Sequence, residues 1–566
     1  MHDEIIVLKF GSSVLRSPAD LPNAVHEIYR WYRQGLSVIA VVSAIGDTTD
    51  RLLAEVQQLA AQPEPYATAE LLATGERASA ALLGLALDRS GIPARVLNPR
   101  EIGLTVSGSP LDSELTEVNL ERLRELLSRY PVLVIPGFFG TDAAGRTHVL
   151  GRGGSDLSAV FLAQAVRSPR CRLIKDVDGV YEADPALAQT TGPRRFVALT
   201  YQDALEVAAP LIQPKAVAFL EQQGTCAEVA SCASGFESTV HAGATQLADP
   251  ISFELSSVLL LGLGTVGYGV YQRLNANAGH FRVVGALVRD CGKYERLKVP
   301  PGLLRTRIEQ ITRLRADIVV DALPGIEPSR QLVEHFLSRG VQVVSANKAL
   351  IAAHGLALSA LGAGSGATLS CSAAVGGATP MIEAVERSAA RAPLASIAAV
   401  VNGTCNFVLD RCEEGATLEE ALAEARRAGF AEADPSEDLS GQDAARKLRI
   451  LCRHAFGVDP KEMEQQVLDE RVARLAPEVA RTGMRLRQVA RAARCDGELR
   501  ATVRFEEVPV QSPFGGLTRE WNALEILGAD GAKHVITGRG AGRWPTTEAV
   551  MADLFDVHRK ARGSTS

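Results

Sequence analysis

A chain of 566 residues, divided by the usual domain size of about 150 residues, holds three or four domains, too much for one hydrophobic core. Its 60 Lys and Arg against 66 Asp and Glu give a net charge of −6, and 46% hydrophobic with 22% charged residues is the balance of ordinary globular protein. This argues against disorder and against a general nucleic-acid binder, whose electrostatic footprint would be basic.

The N-terminus, Met-His-Asp-Glu before a short Ile-Ile-Val-Leu run, lacks the basic and long apolar regions of a secretory signal. No stretch approaches the roughly 18 apolar residues of a membrane span, so a soluble protein is expected. Strands are predicted over 5–8, 37–42, 132–135 and 172–174, β-branched or leucine-rich runs followed by Gly, Ser or Asp, as buried parallel strands often are. Between them a helix is predicted over 155–166, where Leu157, Val160, Phe161 and Ala165 share one apolar face with Gln164 at its edge. The first ~230 residues form one α/β unit. Its first strand closes on Lys9-Phe10-Gly11-Ser12-Ser13, a turn that can aim backbone N–H groups at phosphate oxygens while Lys9 balances their charge. Taken alone, that segment is more often a strand-end turn with a solvated lysine. A second anion-friendly loop, Gly151-Arg152-Gly153-Gly154-Ser155-Asp156, opens the helix, and together the two loops suggest a nucleotide and an acidic substrate. Cys171 is the first of nine cysteines, with no C-x-x-C pair, and the ten histidines hold no H-E-x-x-H. Neither a disulfide framework nor a zinc site is expected, and the implied setting is a reducing cytoplasm.

The order of these motifs, with Ser43-Ala44-Ile45-Gly46 through Thr49-Asp50, Thr74-Gly75-Glu76, Pro136-Gly137-Phe138-Phe139-Gly140 and Lys175-Asp176-Val177-Asp178-Gly179-Val180-Tyr181, resembles aspartokinase of the amino-acid kinase fold, a three-layer αβα architecture. The resemblance implies that Lys9 and Lys215 stabilise the transferring phosphoryl group and that Asp156 holds these lysines in place. It implies that Thr49, Glu76 and Arg152 bind aspartate, Arg152 by a bidentate grip on a carboxylate. Gly11, Ser12, Asp176 and Tyr181 would lie along ATP, which magnesium accompanies, and no protein nucleophile is expected. Three places depart from the family. Its K-F-G-G-T-S becomes Lys9-Phe10-Gly11-Ser12-Ser13-Val14, Lys175 replaces a usual threonine, and Ala186 stands where an arginine after Asp-Pro often contacts the nucleotide. Ser12 resembles glutamate 5-kinase at that one place.

Residues 241–256 lapse into the composition of a connection, and a second α/β unit begins with a strand over 258–261. Gly262-Leu263-Gly264-Thr265-Val266-Gly267 follows that strand and opens a helix. Gly262 permits the tight turn, Gly264 lets the backbone approach a pyrophosphate, and Gly267 allows close helix–strand packing. The next strand, 283–288, ends in Arg289, which can pair a 2′-phosphate and favours NADP over NAD. A plain surface arginine is the alternative, and Asp290 beside it could serve a ribose. Strands over 318–321 and 341–345, a long helical region over 418–456 and a strand over 499–508 complete a dinucleotide domain and a mixed α+β lobe, with 559–566 as a frayed tail.

Ser345-Ala346-Asn347-Lys348, Asn402-Gly403-Thr404-Cys405-Asn406 and Ala431-Glu432-Ala433-Asp434-Pro435 leading to Asp438 through Lys447 closely resemble homoserine dehydrogenase, from about residue 258 to 554. Gly538-Arg539-Gly540-Ala541-Gly542 with Pro545-Thr546 matches the place where that family returns toward its cofactor. The resemblance implies Lys447 as proton donor, Lys348 as its assistant, Glu432, Asp438 and Asp443 as substrate-positioning acids, and a cofactor set of Gly262, Gly264, Thr265, Val266, Gly267, Arg289, Asn347, Lys348 and Gly540. Reducing an aldehyde needs a hydride donor and a cationic or acidic group where negative charge develops on oxygen, which the lysines supply. Alone, Asp443 and Lys447 are an i, i+4 surface pair worth roughly 0.2–0.5 kcal/mol. Ser372 stands where the family usually carries a cation-binding glutamate, and because a hydroxyl is the weaker ligand, no metal site is expected.

The expected whole is a fused enzyme: an aspartokinase over 1–240, a linker over 241–256, a Rossmann domain over 257–370, a catalytic and dimerisation lobe over 371–558, and the tail. It would phosphorylate aspartate and separately reduce aspartate 4-semialdehyde with NADPH. The step between needs another enzyme, since no third catalytic set with a nucleophilic cysteine is found. Fused members of the family carry regulatory ACT domains between the two enzymes. Only a short stretch separates them here, so little or no feedback inhibition is expected. The partners are small molecules, with no nucleic acid and no membrane, in a cytoplasmic dimer or tetramer. The rival is an inactive first half kept as a binding or dimerisation module, and a third possibility is a kinase for another acidic amino acid.

Overall fold

The computed structural model describes residues 4–184, 193–208, 211–248, 255–495 and 497–561. Ala186, residues 249–254 of the connection and 562–566 of the tail lie outside the described residues. The chain divides into two compact units, one of Met1–Arg89, Pro93–Phe253 and Arg559–Ser566, the other of Ser90–Ile92 and Glu254–His558.

In the first unit the apolar runs predicted as strands form the centre of a nine-stranded sheet. From edge to edge its strands are Gln246–Leu247, Phe196–Leu199, Glu237–Val240, Ala227–Ser231, Arg170–Lys175, Ile5–Phe10, Ser37–Val42, Val132–Pro136 and Ala94–Val96. The run from Ala227–Ser231 to Ala94–Val96 is parallel throughout. Strands covered on both faces need apolar residues on both, which is why they show as continuous runs. Val7, Ile39, Val41, Leu133, Ile135 and Leu173 meet Leu157, Val160 and Phe161 of the helix Gly154–Val166 in one core. That helix was expected to bury a single face but is buried almost all round, packed both on the sheet and on the helix Pro214–Gln223, whose Phe219 lies 5.9 Å ring to ring from Phe161. Gln164 stays exposed. A small second sheet, Asp112–Glu117, Thr105–Ser109, Phe139–Thr141 and Thr147–Val149, is an addition to the expected elements. The connection is also partly structured, since Gln246–Leu247 pairs antiparallel with Phe196 and Ala198.

The second unit begins with a six-stranded parallel sheet ordered Leu304–Arg305, Phe281–Leu287, Ser256–Leu261, Ile318–Asp321, Gln342–Ser345 and Leu369–Ser370. Numbered along the chain this is the Rossmann order, third, second, first, fourth, fifth, sixth, and it reverses where Leu261 pairs with Asp321. The lobe beyond it is a largely antiparallel sheet carrying Met381–Arg391 and Gln442–Phe456 on one face, with Met381, Val385, Leu448 and Leu451 packed on Ile397, Val503 and Leu524. The predicted helical region over 418–456 is broken into Leu418–Ala428, Ser436–Leu439 and Gln442–Phe456. Gly429 and Gly441 take φ of +80° and +79°, a left-handed backbone that stops the first helix and starts the last. The final helix, Arg543–Ala561, runs through 559–561, so those residues are helix and not tail.

Candidate functional site

In the second unit the strand Ser256–Leu261 hands the chain to Gly262, whose φ is +96°. A Cβ on Gly267 would lie 2.1 Å from the Gly262 carbonyl oxygen, so the helix Thr265–Ala276 packs on this turn only with glycine there. Among the described residues a Cβ on Gly264 would meet nothing within 4 Å and the helix has no side-chain cap, leaving its first N–H groups for an anion. Thr265 is exposed and Val266 half-buried. Open space, uncapped donors and no bulky side chain fit a dinucleotide pyrophosphate. Arg289 is exposed just beyond the strand Phe281–Leu287, and Asp290 accepts the Gly292 N–H at 3.0 Å.

Asp321, across the reversal, is a residue sequence reasoning missed. Fully buried, it accepts from Ser329 Oγ at 2.7 Å, Ser345 Oγ at 2.9 Å and the Leu323 N–H at 3.2 Å. Burial pushes its carboxyl up, and these hydrogen bonds hold part of that rise back. Ser345 Oγ in turn accepts the Asn347 N–H at 3.1 Å. Asn347 accepts the Leu350 N–H at 3.1 Å to cap the helix Lys348–Ser365, and donates through Nδ2 to the Gly325 carbonyl at 2.6 Å. Asp321 therefore fixes the turn from which Lys348 projects.

Lys348 Nζ donates to Asp443 Oδ1. Lys447 Nζ lies 2.8 Å from Asp443 Oδ2 and donates to the Val401 carbonyl at 2.6 Å. Asn402 Nδ2 donates to Asp443 at 3.1 Å and to Asp438 at 2.8 Å, while its Oδ1 caps the helix Gly403–Glu413. Asp443 is 3% and Lys447 8% exposed, so the i, i+4 pair lies in the interior and not on a surface. Burial works to raise the Asp443 carboxyl, but Lys447 and Lys348 overcome it and hold it well below the usual carboxylate range. Burial likewise opposes the Lys348 ammonium, and Asp443 more than restores it. Of the acids expected here, Asp438 and Asp443 are brought together, whereas Glu432 is exposed on the loop before Ser436–Leu439. Gly540 packs on Gly377, where a Cβ would lie 3.0 Å from the Gly540 carbonyl oxygen. The Ser372 hydroxyl donates to Asp553 at 2.8 Å and its N–H to the same carboxylate at 3.1 Å.

In the first unit, side chains converge at the carboxyl ends of the parallel strands, where open α/β sheets bind ligands. Lys9 Nζ lies 2.7 Å from Asp156 Oδ1, and a Cβ on Gly11 would stand 2.8 Å from the same nitrogen, so the amine folds back over the turn because glycine leaves room. Ser12 is exposed on that turn. Glu76 is 3% exposed in the helix Pro65–Arg89, and among the described residues its Oε2 has no hydrogen-bond partner. Burial pushes its carboxyl up to about 7, against the Ala44 N–H and Lys9, which favour the charged form. A buried carboxylate oxygen left bare fits a ligand cation. Thr49 is half-buried in the first turn of Thr48–Leu59, and Arg152 and Asp176 are exposed. Tyr181 donates its hydroxyl to Asp178 at 2.7 Å; burial raises its pKa, and Asp178 adds to the rise.

One expectation is corrected here. Asp156 holds Lys9 and Lys175, the latter at 3.2 Å, and not Lys215. Lys215 Nζ donates instead to Asp112, on the small sheet, and to the Leu150 carbonyl at 3.0 Å. Lys175 reaches Asp156 first because its strand lies beside Ile5–Phe10, with Lys9 opposite Leu173. Burial raises and the two lysines lower the Asp156 carboxyl, and the lysines prevail.

Comparison with known proteins follows the same division. Residues 4–231 match the amino acid kinase family, 262–371 the NAD binding domain of homoserine dehydrogenase, and 380–555 homoserine dehydrogenase. A homoserine dehydrogenase of Bacillus subtilis (strain 168) is 31% identical over 319 residues, 54% of this chain and 73% of the relative. An aspartokinase of Thermus thermophilus is 30% identical over 335 residues, 58% of this chain and 75% of the relative. The crystal structure of a homoserine dehydrogenase from Thiobacillus denitrificans, 34% identical, superposes with a TM-score of 0.51, covering 54% of this chain and 74% of its own.

Proposed function

Since the chain belongs to the aspartokinase and homoserine dehydrogenase families, we propose that its first unit transfers the γ-phosphoryl group of ATP to the side-chain carboxylate of L-aspartate, and its second reduces L-aspartate 4-semialdehyde to L-homoserine with NADPH. One observation carries this for both units: each gathers two lysines on one buried aspartate, Asp156 or Asp443. Both reactions place negative charge on oxygen, and a cation held there beforehand lowers the barrier without reorganising.

In the second unit the Gly262 turn and its helix hold the dinucleotide, with Asn347 and Gly540 completing its site, and a reduced nicotinamide bound there supplies hydride. Lys447 gives its proton to the carbonyl oxygen, Lys348 adds positive charge beside it, and Asp443 keeps both ammonium groups aimed. Asp438, steadied by Asn402, meets the substrate ammonium, with Glu432 joining from its loop. Arg289 meets a 2′-phosphate, which favours NADPH. In the first unit Lys9 and Lys215 neutralise the phosphoryl group, the Gly11 and Ser12 turn cradles phosphate, and Arg152, Thr49 and Glu76 hold aspartate. Magnesium accompanies ATP and spreads its charge, while Asp176 and Tyr181 lie along the nucleotide.

We assign reduction of the acyl phosphate between the two steps to another enzyme; burial pushes the Cys371 and Cys452 thiols up to about 12 and leaves these two poor nucleophiles. Among the described residues no disulfide forms, and no helix is long and apolar enough to cross a membrane. A dimer or tetramer is proposed on the family resemblance alone. The absence of ACT-mediated control is supported by the short span from Leu247 to Ser256.

The test is made on one preparation: aspartate-dependent ADP release, semialdehyde-dependent oxidation of NADPH against NADH, and a threonine titration of both. Both activities are expected, NADPH preferred, with a flat threonine response. Dehydrogenase activity without ADP release would establish the first unit as a binding or dimerisation module, release with another acidic acceptor would reassign the kinase, and cooperative threonine inhibition would overturn the unregulated enzyme.

Glu76 gives a pH dependence. An ammonium group needs the carboxylate, so the KM for aspartate falls as pH rises through about 7. The folded pKa stands above the ordinary 4.5, so folding binds an extra proton in that window, and Glu76 withdraws stability as pH rises from 4.5 through about 7. Glu76→Gln raises KM, flattens its pH profile and removes that part of the stability loss. A KM profile unchanged in the variant would remove Glu76 from the acceptor site.

A further inference from the structure

We propose that Lys175 is a phosphoryl-binding lysine of the first unit, a further cation that acts beside Lys9 during transfer. This deepens the aspartokinase reading and rests on it. Lys175 closes the strand Arg170–Lys175, and because Lys9 pairs with Leu173, Lys175 stands two residues further along the neighbouring strand on the same face. Both side chains end on Asp156, Lys9 at 2.7 Å and Lys175 at 3.2 Å. Lys9 is 6% exposed and Lys175 8%.

Charge makes the argument. Lys9 alone would neutralise Asp156, so a second buried lysine leaves the buried trio of Lys9, Lys175 and Asp156 with one positive charge in excess, at the carboxyl ends of the strands where a phosphate would lie. A group present only for packing would carry no such charge, which costs desolvation and like-charge repulsion. Those costs are visible on Lys175 itself: burial and Lys9 push its pKa down to about 8, with Asp156 and Asp176 acting against them. The groups facing it are Lys9 from one neighbouring strand, Asp156 from the helix and Asp176 next in its own chain. The other neighbouring strand brings Ser231, which does not titrate. An anionic phosphoryl group removes the excess charge. Lys215, meanwhile, is held by Asp112 and leaves the place at Asp156 to Lys175.

In the step itself an oxygen of the aspartate side-chain carboxylate bonds to Pγ, the bond from Pγ to the bridging oxygen breaks, and the electron pair leaves on ADP. No proton moves. Lys175 faces charge on the transferring oxygens and must be an ammonium to do so.

The experiment uses the full chain with Lys175→Met and Lys175→Arg. Lys175→Met is expected to lower kcat for ADP release about 10²-fold, the loss of one preorganised donor, with KM for aspartate changed less than about threefold. By direct titration it weakens ATP about tenfold more than ADP, which lacks the γ-phosphate, and intact ADP binding shows the unit folded. In the unaltered enzyme kcat/KM for ATP falls above about pH 8, as the Lys175 ammonium is lost, and Lys175→Arg, which cannot deprotonate in this range, abolishes that fall. A Lys175→Met enzyme with undiminished kcat and unchanged ATP-to-ADP preference overturns the proposal, as does an alkaline limb that persists in Lys175→Arg. If the unaltered chain binds ATP through Lys175 yet releases no ADP with aspartate, the aspartokinase reading fails and the phosphate site stands.

Discussion

Lys447→Ala lowers kcat for semialdehyde reduction about 10³-fold, the usual share of a positioned proton donor acting where charge develops. The KM for NADPH stays within about threefold, since Lys447 touches Asp443 and the Val401 carbonyl and lies apart from the glycine turn in sequence and element. The site survives the change because Asp443 keeps Lys348 and Asn402, so the cost in stability stays below the roughly 3–5 kcal/mol of a fully orphaned buried charge. Lys447→Arg separates two roles. A guanidinium keeps the positive charge but does not give up its proton at neutral pH, so it leaves kcat depressed if proton donation is the function, and restores most of it if charge alone suffices. NADPH oxidation followed by absorbance, with nicotinamide fluorescence for binding, decides between them. Normal turnover in Lys447→Ala would overturn the roles given to the Asp443 cluster.

Lys9→Ala abolishes the other activity by a comparable factor, about 10³-fold in aspartate-dependent ADP release, because phosphoryl transfer asks the protein chiefly for positioning and cations. Two observations make Lys9 the first cation to test. Its ammonium is anchored on Asp156 at 2.7 Å, and Gly11 leaves space for it over the turn. Asp156 retains Lys175 in the variant, so the carboxylate is not stranded. Semialdehyde reduction by the same polypeptide supplies the control: it is unchanged, and the ratio of the two rates cancels any error in protein concentration. ADP release undiminished in Lys9→Ala would move the phosphoryl site away from Asp156.

The parallel strands were legible because each is covered on both faces, so Val38 to Val42 or Val258 to Leu261 had to be apolar without a break. The glycine turn was legible because its backbone geometry admits few other residues. The sheet around Asp112 was not, since Thr105–Ser109 and Asp112–Glu117 are short and largely polar, and pairing with each other and with Phe139–Thr141 is what makes them strands. The long helix over 418–456 failed for a different reason. Its apolar pattern continues across Gly429, Pro435 and Gly441, and the segment these residues break out carries Glu432 and Asp438, with Asp443 just beyond it in the first turn of the last helix. Asn402 was visible inside its motif, but its service to two carboxylates depends on elements far apart in the chain. Lys175 looked like a blemish in a motif. What gives it meaning is the register of two strands, Lys9 opposite Leu173, and no local pattern encodes register.

Asp156 and Asp443 lie away from bulk water at 2% and 3% exposure, together with Lys9, Lys175 and Lys447, while Lys348 is partly exposed, and this bears on ionic strength. Dissolved salt screens exposed charges beyond a Debye length of about 10 Å at 0.1 M but reaches buried pairs far less. The two catalytic clusters therefore keep their geometry from dilute buffer to concentrated salt. Salt acts instead on the approach of polyanionic substrates, so its effect falls on capture, as kcat/KM, while kcat holds.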